Sequence, residues 1–123
     1  MALLLIGAGG FAGAIARYVL DGRISAATGG TFPWGTLAIN LGGAFAIGVL
    51  FALSVERASL PAEWRAPLMI GFLGSFTTFS TLALESWRMI EDGAYGAAVG
   101  NLTGSIVLGL AAVVGGLILG RAL

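Results

Sequence analysis

The side chains able to do chemistry in this 123-residue chain are hydroxyls and amides rather than acids and bases. Five of the seven residues from 75 to 81 carry hydroxyls (Ser75, Thr77, Thr78, Ser80, Thr81), with Phe79 among them and Gly74 just before. Asn40 lies in a second apolar stretch with Thr36 at i−4, so the two share a helix face. Asn101, Ser105 and Gly109 repeat the four-residue spacing further on. Histidine and cysteine are both absent, which removes the usual general base, zinc ligand and thiolate. No nucleophile–base pair can be assembled from such dispersed hydroxyls, so the chain reads as a non-enzyme. What the set offers is donors: amide N–H, hydroxyl O–H and the electropositive edge of the Phe79 ring. Cation and proton pathways through membranes usually contain a deep acid, and no carboxylate falls deep in any apolar stretch here. A donor-lined, acid-free path suits an anion, and a narrow one suits a small anion whose lost hydration several close donors must replace.

The elements that position these groups follow from composition. The chain is 58% hydrophobic and 10% charged, whereas a soluble domain carries charge at about a quarter of its positions. So little charge cannot cover a water-facing surface, and lipid must solvate much of the chain. Net charge is zero and all six cations are arginine, which leaves no basic face for nucleic acid. A hydrocarbon core needs about 20 mostly apolar residues per helix. Charge placement divides the chain into four such spans, at about residues 2–20, 34–55, 66–88 and 94–120, forming one all-α integral membrane domain over 1–123. Residues 25–35, glycine-rich with Pro33, read as a loop. Trp34, Trp64, Trp87, Tyr18 and Tyr95 fall near span ends, where amphipathic rings favour the interface. The 21 glycines have no Gly-X-Y period and suit close helix packing, with seams expected at Gly9/Gly13, Gly42/Gly43 and Gly115/Gly116.

The third span is expected to break near the membrane midplane, around residues 74–78. Glycine and threonine weaken the helix there, and the hydroxyls can satisfy freed backbone groups. Non-helical backbone at that depth survives only when buried in protein or lining a wet cavity. If a two-fold axis passed through the break, freed carbonyls from two copies would converge into a hard-cation site. Asn40 has two readings, interhelical glue or ligand. Arg17, near a span end, reads as an anchor or a vestibule charge.

Orientation is balanced. An even number of spans puts both termini on one side, with Arg57, Arg65 and Arg121; Arg17, Arg23 and Arg88 fall on the other. Because arginine and lysine bias sets topology, this tie predicts insertion in both directions. Two copies in opposite orientations would form an antiparallel, dual-topology homodimer in the lipid bilayer, equivalent to an inverted repeat.

Residues 9–18 (GGFAGAIARY), 35–43 (GTLAINLGG) and 71–81 (GFLGSFTTFST) resemble the signatures of the Fluc/CrcB fluoride channels. The resemblance spans nearly the whole chain and is weakest at residues 21–31 and at the C-terminal end. It implies passive fluoride export across the cytoplasmic membrane through two antiparallel pores, with a structural sodium ion between subunits. On that resemblance Asn40 is the pore amide, Phe79 turns its ring edge to the anion, and Ser80 and Thr81 add hydroxyls. Gly74 and Thr77 give backbone carbonyls to sodium. Thr36 and Glu85 belong to an outer polar track, and Asn101 and Ser105 to a fourth-helix track. Leu82 departs from the pattern, standing where the family often has a second pore phenylalanine. Asn101 stands where some members have tyrosine, and Gly109 where some have a hydroxyl.

Two other readings compete. A small multidrug-type cation exporter would also be short and four-helical, but it needs a carboxylate in its first span, and residues 1–20 contain none. A membrane scaffold protein without transport activity would use its polar spots as glue alone.

Overall fold

The computed structural model describes Met1–Leu123 and is all-helical. Four helices are long and apolar enough to cross a membrane: Ala2–Thr28, Trp34–Glu56, Ala62–Glu91 and Tyr95–Ala122. The first, α1 (Ala2–Thr28), runs well past the apolar stretch that ends near residue 20. Helical backbone bonds close within the segment, so Asp21 and Arg23 continue it into the polar region. It stops where Gly29 and Gly30 take φ of 62° and 72°, a conformation glycine adopts without cost. The expected loop at 25–35 therefore shortens to residues 29–33, and Trp34 starts α2 (Trp34–Phe51) just after Pro33.

The second span ends in a wider π-helical turn, Ala52–Glu56. The third span is a series of short segments. A 3₁₀ turn at Ala62–Trp64 leads into π-helical Ala66–Phe72, then α3 (Leu73–Phe76). Thr77 (φ −84°, ψ 156°) and Thr78 (φ −150°, ψ 117°) are extended, and α4 (Phe79–Glu91) follows. Gly93 turns the chain with φ 78° into α5 (Tyr95–Ala122).

The spans pack in two pairs. α1 lies along Ala66–Phe72 and α3, while α2 lies along α5, and α4 also rests on α5. Backbones approach closely at both seams. A Cβ at Gly13 would strike the Phe72 carbonyl, and one at Gly71 would come within 2.5 Å of the Ile6 carbonyl. On the other seam, Gly48 faces the Val113 carbonyl and Gly116 the Phe45 carbonyl at similar range. Where lipid removes the hydrophobic drive between helices, such contact supplies the packing energy. At one end of the molecule Arg57 Nη1 donates to the Gly120 and Arg121 carbonyls (3.3 and 3.1 Å). Arg121 in turn forks onto Glu56 (2.7 and 2.8 Å), tying the second span to the last turn of α5.

Large apolar side chains face outward, among them Leu3, Leu4, Phe11 and Tyr18 on α1 and Ile106, Leu110 and Ile118 on α5. The buried apolar set is small: Ile39, Ala52, Leu73, Leu82, Met89 and Ala98. This inverts the soluble pattern, in which large apolar patches are rare outside binding sites.

Candidate functional site

Two extended residues in a helical span free backbone groups, and each freed group must find a partner. Thr78 N–H donates to Asn40 Oδ1 (2.8 Å), and Asn40 Nδ2 donates back to the Thr78 carbonyl (3.0 Å). The side-chain amide thus behaves as a peptide unit across the gap from α2, and one Nδ2 hydrogen remains uncommitted. Thr78 also caps α4: its Oγ1 accepts from Thr81 N–H (3.2 Å) and donates to Thr81 Oγ1 (3.0 Å). Thr77 bonds backward instead, Oγ1 to the Leu73 carbonyl (2.9 Å).

These bonds have a consequence for two carbonyls. In an unbroken helix Thr78 N–H would serve the Gly74 carbonyl and Thr81 N–H the Thr77 carbonyl. Both donors are spent elsewhere, on Asn40 Oδ1 and Thr78 Oγ1. Gly74 and Thr77 therefore keep carbonyl oxygens without their i+4 donors, and both residues line the same cleft.

That cleft has a volume of about 430 Å³. Its polar lining comes from Asn40, Thr77, Thr78 and Ser105, with Phe79 beside them, and no charged residue contributes to it. Phe79 is 79% exposed, so its ring stands free of this chain's core. Ser105 Oγ is buried and has no hydrogen-bond partner. Apolar walls come from Ala44, Ile47, Leu82, Leu102 and Ile106. Donors in an apolar wall strengthen their hold on an anion, because little water competes.

The remaining sequence-predicted residues distribute around this cleft. Ser80 is exposed, with its hydroxyl 3.4 Å from Thr78 Oγ1, and Thr81 sits within the α4 cap. Thr36 is buried, 4% exposed, on α2. Glu85 lines a second cavity of about 490 Å³ together with Arg88, Asp92 and Thr31. One of its carboxylate oxygens, Oε1, is buried without a partner. Arg17 is half-buried, lines neither cavity and has its Nε buried unpaired. Asn101 does not line the cleft: only 1% exposed, it donates to Ser86 Oγ across the α4–α5 contact (3.0 Å).

Sequence reasoning counted Thr78 only among the hydroxyls of the third span, without a pairing of its own, and passed over Ser86. Thr78 carried a readable signal, a threonine at the head of a helical run, where a side-chain oxygen caps a free N–H. Ser86 carried none, because its pairing with Asn101 crosses between helices.

Fold and site together define a multi-pass helical membrane protein with an uncharged, donor-lined cleft between its spans. Residues 4–117 match the model of the CrcB-like protein, camphor resistance (CrcB) family, and the chain belongs to that family. A Magnetococcus marinus protein named fluoride-specific ion channel FluC is 40% identical over 121 residues, 98% of each chain. A Solibacter usitatus protein of the same name is 41% identical over 121 residues, 98% of this chain and 99% of the relative. One from Solidesulfovibrio magneticus is 46% identical over 112 residues, 91% of this chain and 90% of the relative.

Proposed function

We propose that this chain is a fluoride channel, exporting the ion passively across the cytoplasmic membrane. The observation that carries the reading is the cleft at Asn40, Phe79 and Ser105, which offers donors and no charge. Fluoride is small and strongly hydrated, so entry into an apolar wall requires close donors in place of water. The uncommitted Nδ2 hydrogen of Asn40, the Ser105 hydroxyl and the Phe79 ring edge are the groups that meet this need, with Ser80 and Thr81 continuing the path along α4. Thr36 and Glu85 continue it toward the second cavity, where Arg88 supplies positive charge near a span end; Arg17, outside both cavities, serves as a vestibule charge. Asn101 is better read as a tie between α4 and α5 than as an anion contact, because it lies outside the cleft lining and its Nδ2 donates to Ser86, while its Oδ1 is buried without a partner.

The working unit in this proposal is an antiparallel homodimer, supported by the even division of arginines between the two sides and by the exposed Phe79 ring. The extended pair Thr77–Thr78 would stand near the membrane midplane, where irregular backbone needs protein or a cavity around it. A sodium ion between subunits fits the donor set, since the Gly74 and Thr77 carbonyls are hard oxygen ligands relieved of their helical partners. When bound, such an ion places a fixed positive charge beside an anion path.

The deciding experiment is fluoride efflux from liposomes carrying purified protein, followed with a fluoride electrode and without a proton gradient. Rapid fluoride release with chloride retained is the expected result. Chloride passing as readily as fluoride, or no release at all, defeats the proposal.

A further inference from the structure

We infer that Asn40 and Thr78 are positioning residues for the cation site: their side-chain oxygens divert two backbone N–H groups and thereby free the Gly74 and Thr77 carbonyls for a metal ion. The inference rests on the sodium reading above and deepens it by naming what keeps the ligands available.

A membrane helix resists losing its bonds, because a freed carbonyl in hydrocarbon costs several kcal/mol. Left alone, Thr78 N–H would return to the Gly74 carbonyl and Thr81 N–H to the Thr77 carbonyl. Each donor instead has a competing acceptor fixed nearby: Asn40 Oδ1 at 2.8 Å for the first and Thr78 Oγ1 at 3.2 Å for the second. The acceptors differ in origin. Thr78 caps locally within its own span, as threonine does at helix starts. Asn40 reaches across from α2 and returns a bond to the Thr78 carbonyl at 3.0 Å, fixing the peptide from both sides. Asn40 thus faces two ways. Its oxygen and one hydrogen hold the extended backbone, and its other hydrogen is left for the cleft, so one side chain joins the cation ligands to the anion path.

The prediction concerns cation affinity, independent of conduction. Na+ binding to purified, detergent-solubilised protein is titrated by 23Na NMR line broadening for wild type, Thr78→Ser, Thr78→Val and Asn40→Ala. Wild type and Thr78→Ser should bind alike, because serine keeps the capping oxygen. Thr78→Val, which fills the same space without an acceptor, and Asn40→Ala should each weaken binding about tenfold, the equivalent of one hydrogen bond restored to the helix. Equal Na+ affinity across all four proteins overturns the inference while leaving the sodium reading intact. Absence of saturable Na+ binding in the wild type overturns the sodium reading and this inference with it. Thr78→Val and Thr78→Ser decide the matter should Asn40→Ala fail to fold.

Discussion

Gly43 on α2 stands so close to Thr77 that a Cβ at position 43 would overlap the Thr77 methyl, Cγ2. The contact presses α2 against the extended residue, and the Thr77 hydroxyl is fixed from the other side by its bond to the Leu73 carbonyl (2.9 Å). Threonine therefore cannot rotate away without losing that bond. Gly43→Ala should destabilise the protein by about 1–3 kcal/mol, the usual cost of overpacking. Thr77→Ser removes the methyl and keeps the hydroxyl, so Gly43→Ala/Thr77→Ser should recover most of the loss. Denaturation of all three variants closes a double-mutant cycle, and additive effects would place the clash elsewhere.

Glycines at the seams and glycines on the surface should respond in opposite directions. Gly48 opposes the Val113 carbonyl and Gly116 the Phe45 carbonyl, so in both cases rigid backbone would meet a new methyl. A helix backbone cannot yield as a side chain does, so Gly48→Ala and Gly116→Ala should each lower thermal stability and reduce yield of folded protein. Gly22, late in α1, has open space around it, and Gly22→Ala should stabilise by up to about 1 kcal/mol through helix propensity. Thermal melts in one detergent compare the three, and equal tolerance would mean that the seams are not close-packed.

The spans were legible because charge in a lipid-solvated chain marks where water begins. Residues such as Glu56, Arg65, Glu91 and Asp92 therefore delimited the helices. The end of α1 was less legible, since Asp21 and Arg23 signal the loss of apolar surroundings but not the loss of helical backbone. The hydroxyl run at 75–81 and Asn40 drew attention as isolated polar groups in apolar stretches. Their mutual pairing did not, because nothing in sequence sets the rotation of α2 against Thr78. The π-helical turns at Ala52–Glu56 and Ala66–Phe72 left no signature either. Pro67 at the start of one and Ser54 within the other are compatible with an ordinary helix as well. Asn101 showed the same limit: its polarity was visible, its partner Ser86 was not.

That pairing allows a separation of stability from conduction. Asn101 Nδ2 meets Ser86 Oγ at 3.0 Å in a buried contact away from the cleft. Interhelical bonds in membranes average only about 0.6 kcal/mol, with a maximum near 1.7. Asn101→Ala should therefore lower the melting temperature slightly and leave fluoride flux per folded molecule within about twofold of wild type, an effect below 0.6 kcal/mol. Ser105→Ala, which deletes an unpartnered hydroxyl from the cleft lining, should do the reverse, slowing flux with little change in melting. Matched losses of flux in both variants would return Asn101 to the anion path.

Asn40→Asp tests the proposed anion path, because the substitution keeps the shape while replacing the amide donor with a charged acceptor. One carboxylate oxygen can still accept Thr78 N–H, as Asn40 Oδ1 does at 2.8 Å. The other would face the Thr78 carbonyl, where Nδ2 now donates at 3.0 Å, and it has no hydrogen left for the cleft. A unit negative charge about 4 Å from a passing anion costs roughly 4 kcal/mol in a protein-like dielectric. Flux should therefore fall by at least about a hundredfold, which needs only about 2.7 kcal/mol. Lowering the pH should restore part of the loss, because a protonated carboxyl is neutral and again donates; protein-free liposomes at each pH give the background leak. Flux unchanged at neutral pH would remove Asn40 from the conduction path. Loss without recovery in acid would assign the defect to the missing cleft hydrogen rather than to charge, because a protonated carboxyl can again donate to the Thr78 carbonyl but has no second hydrogen to offer.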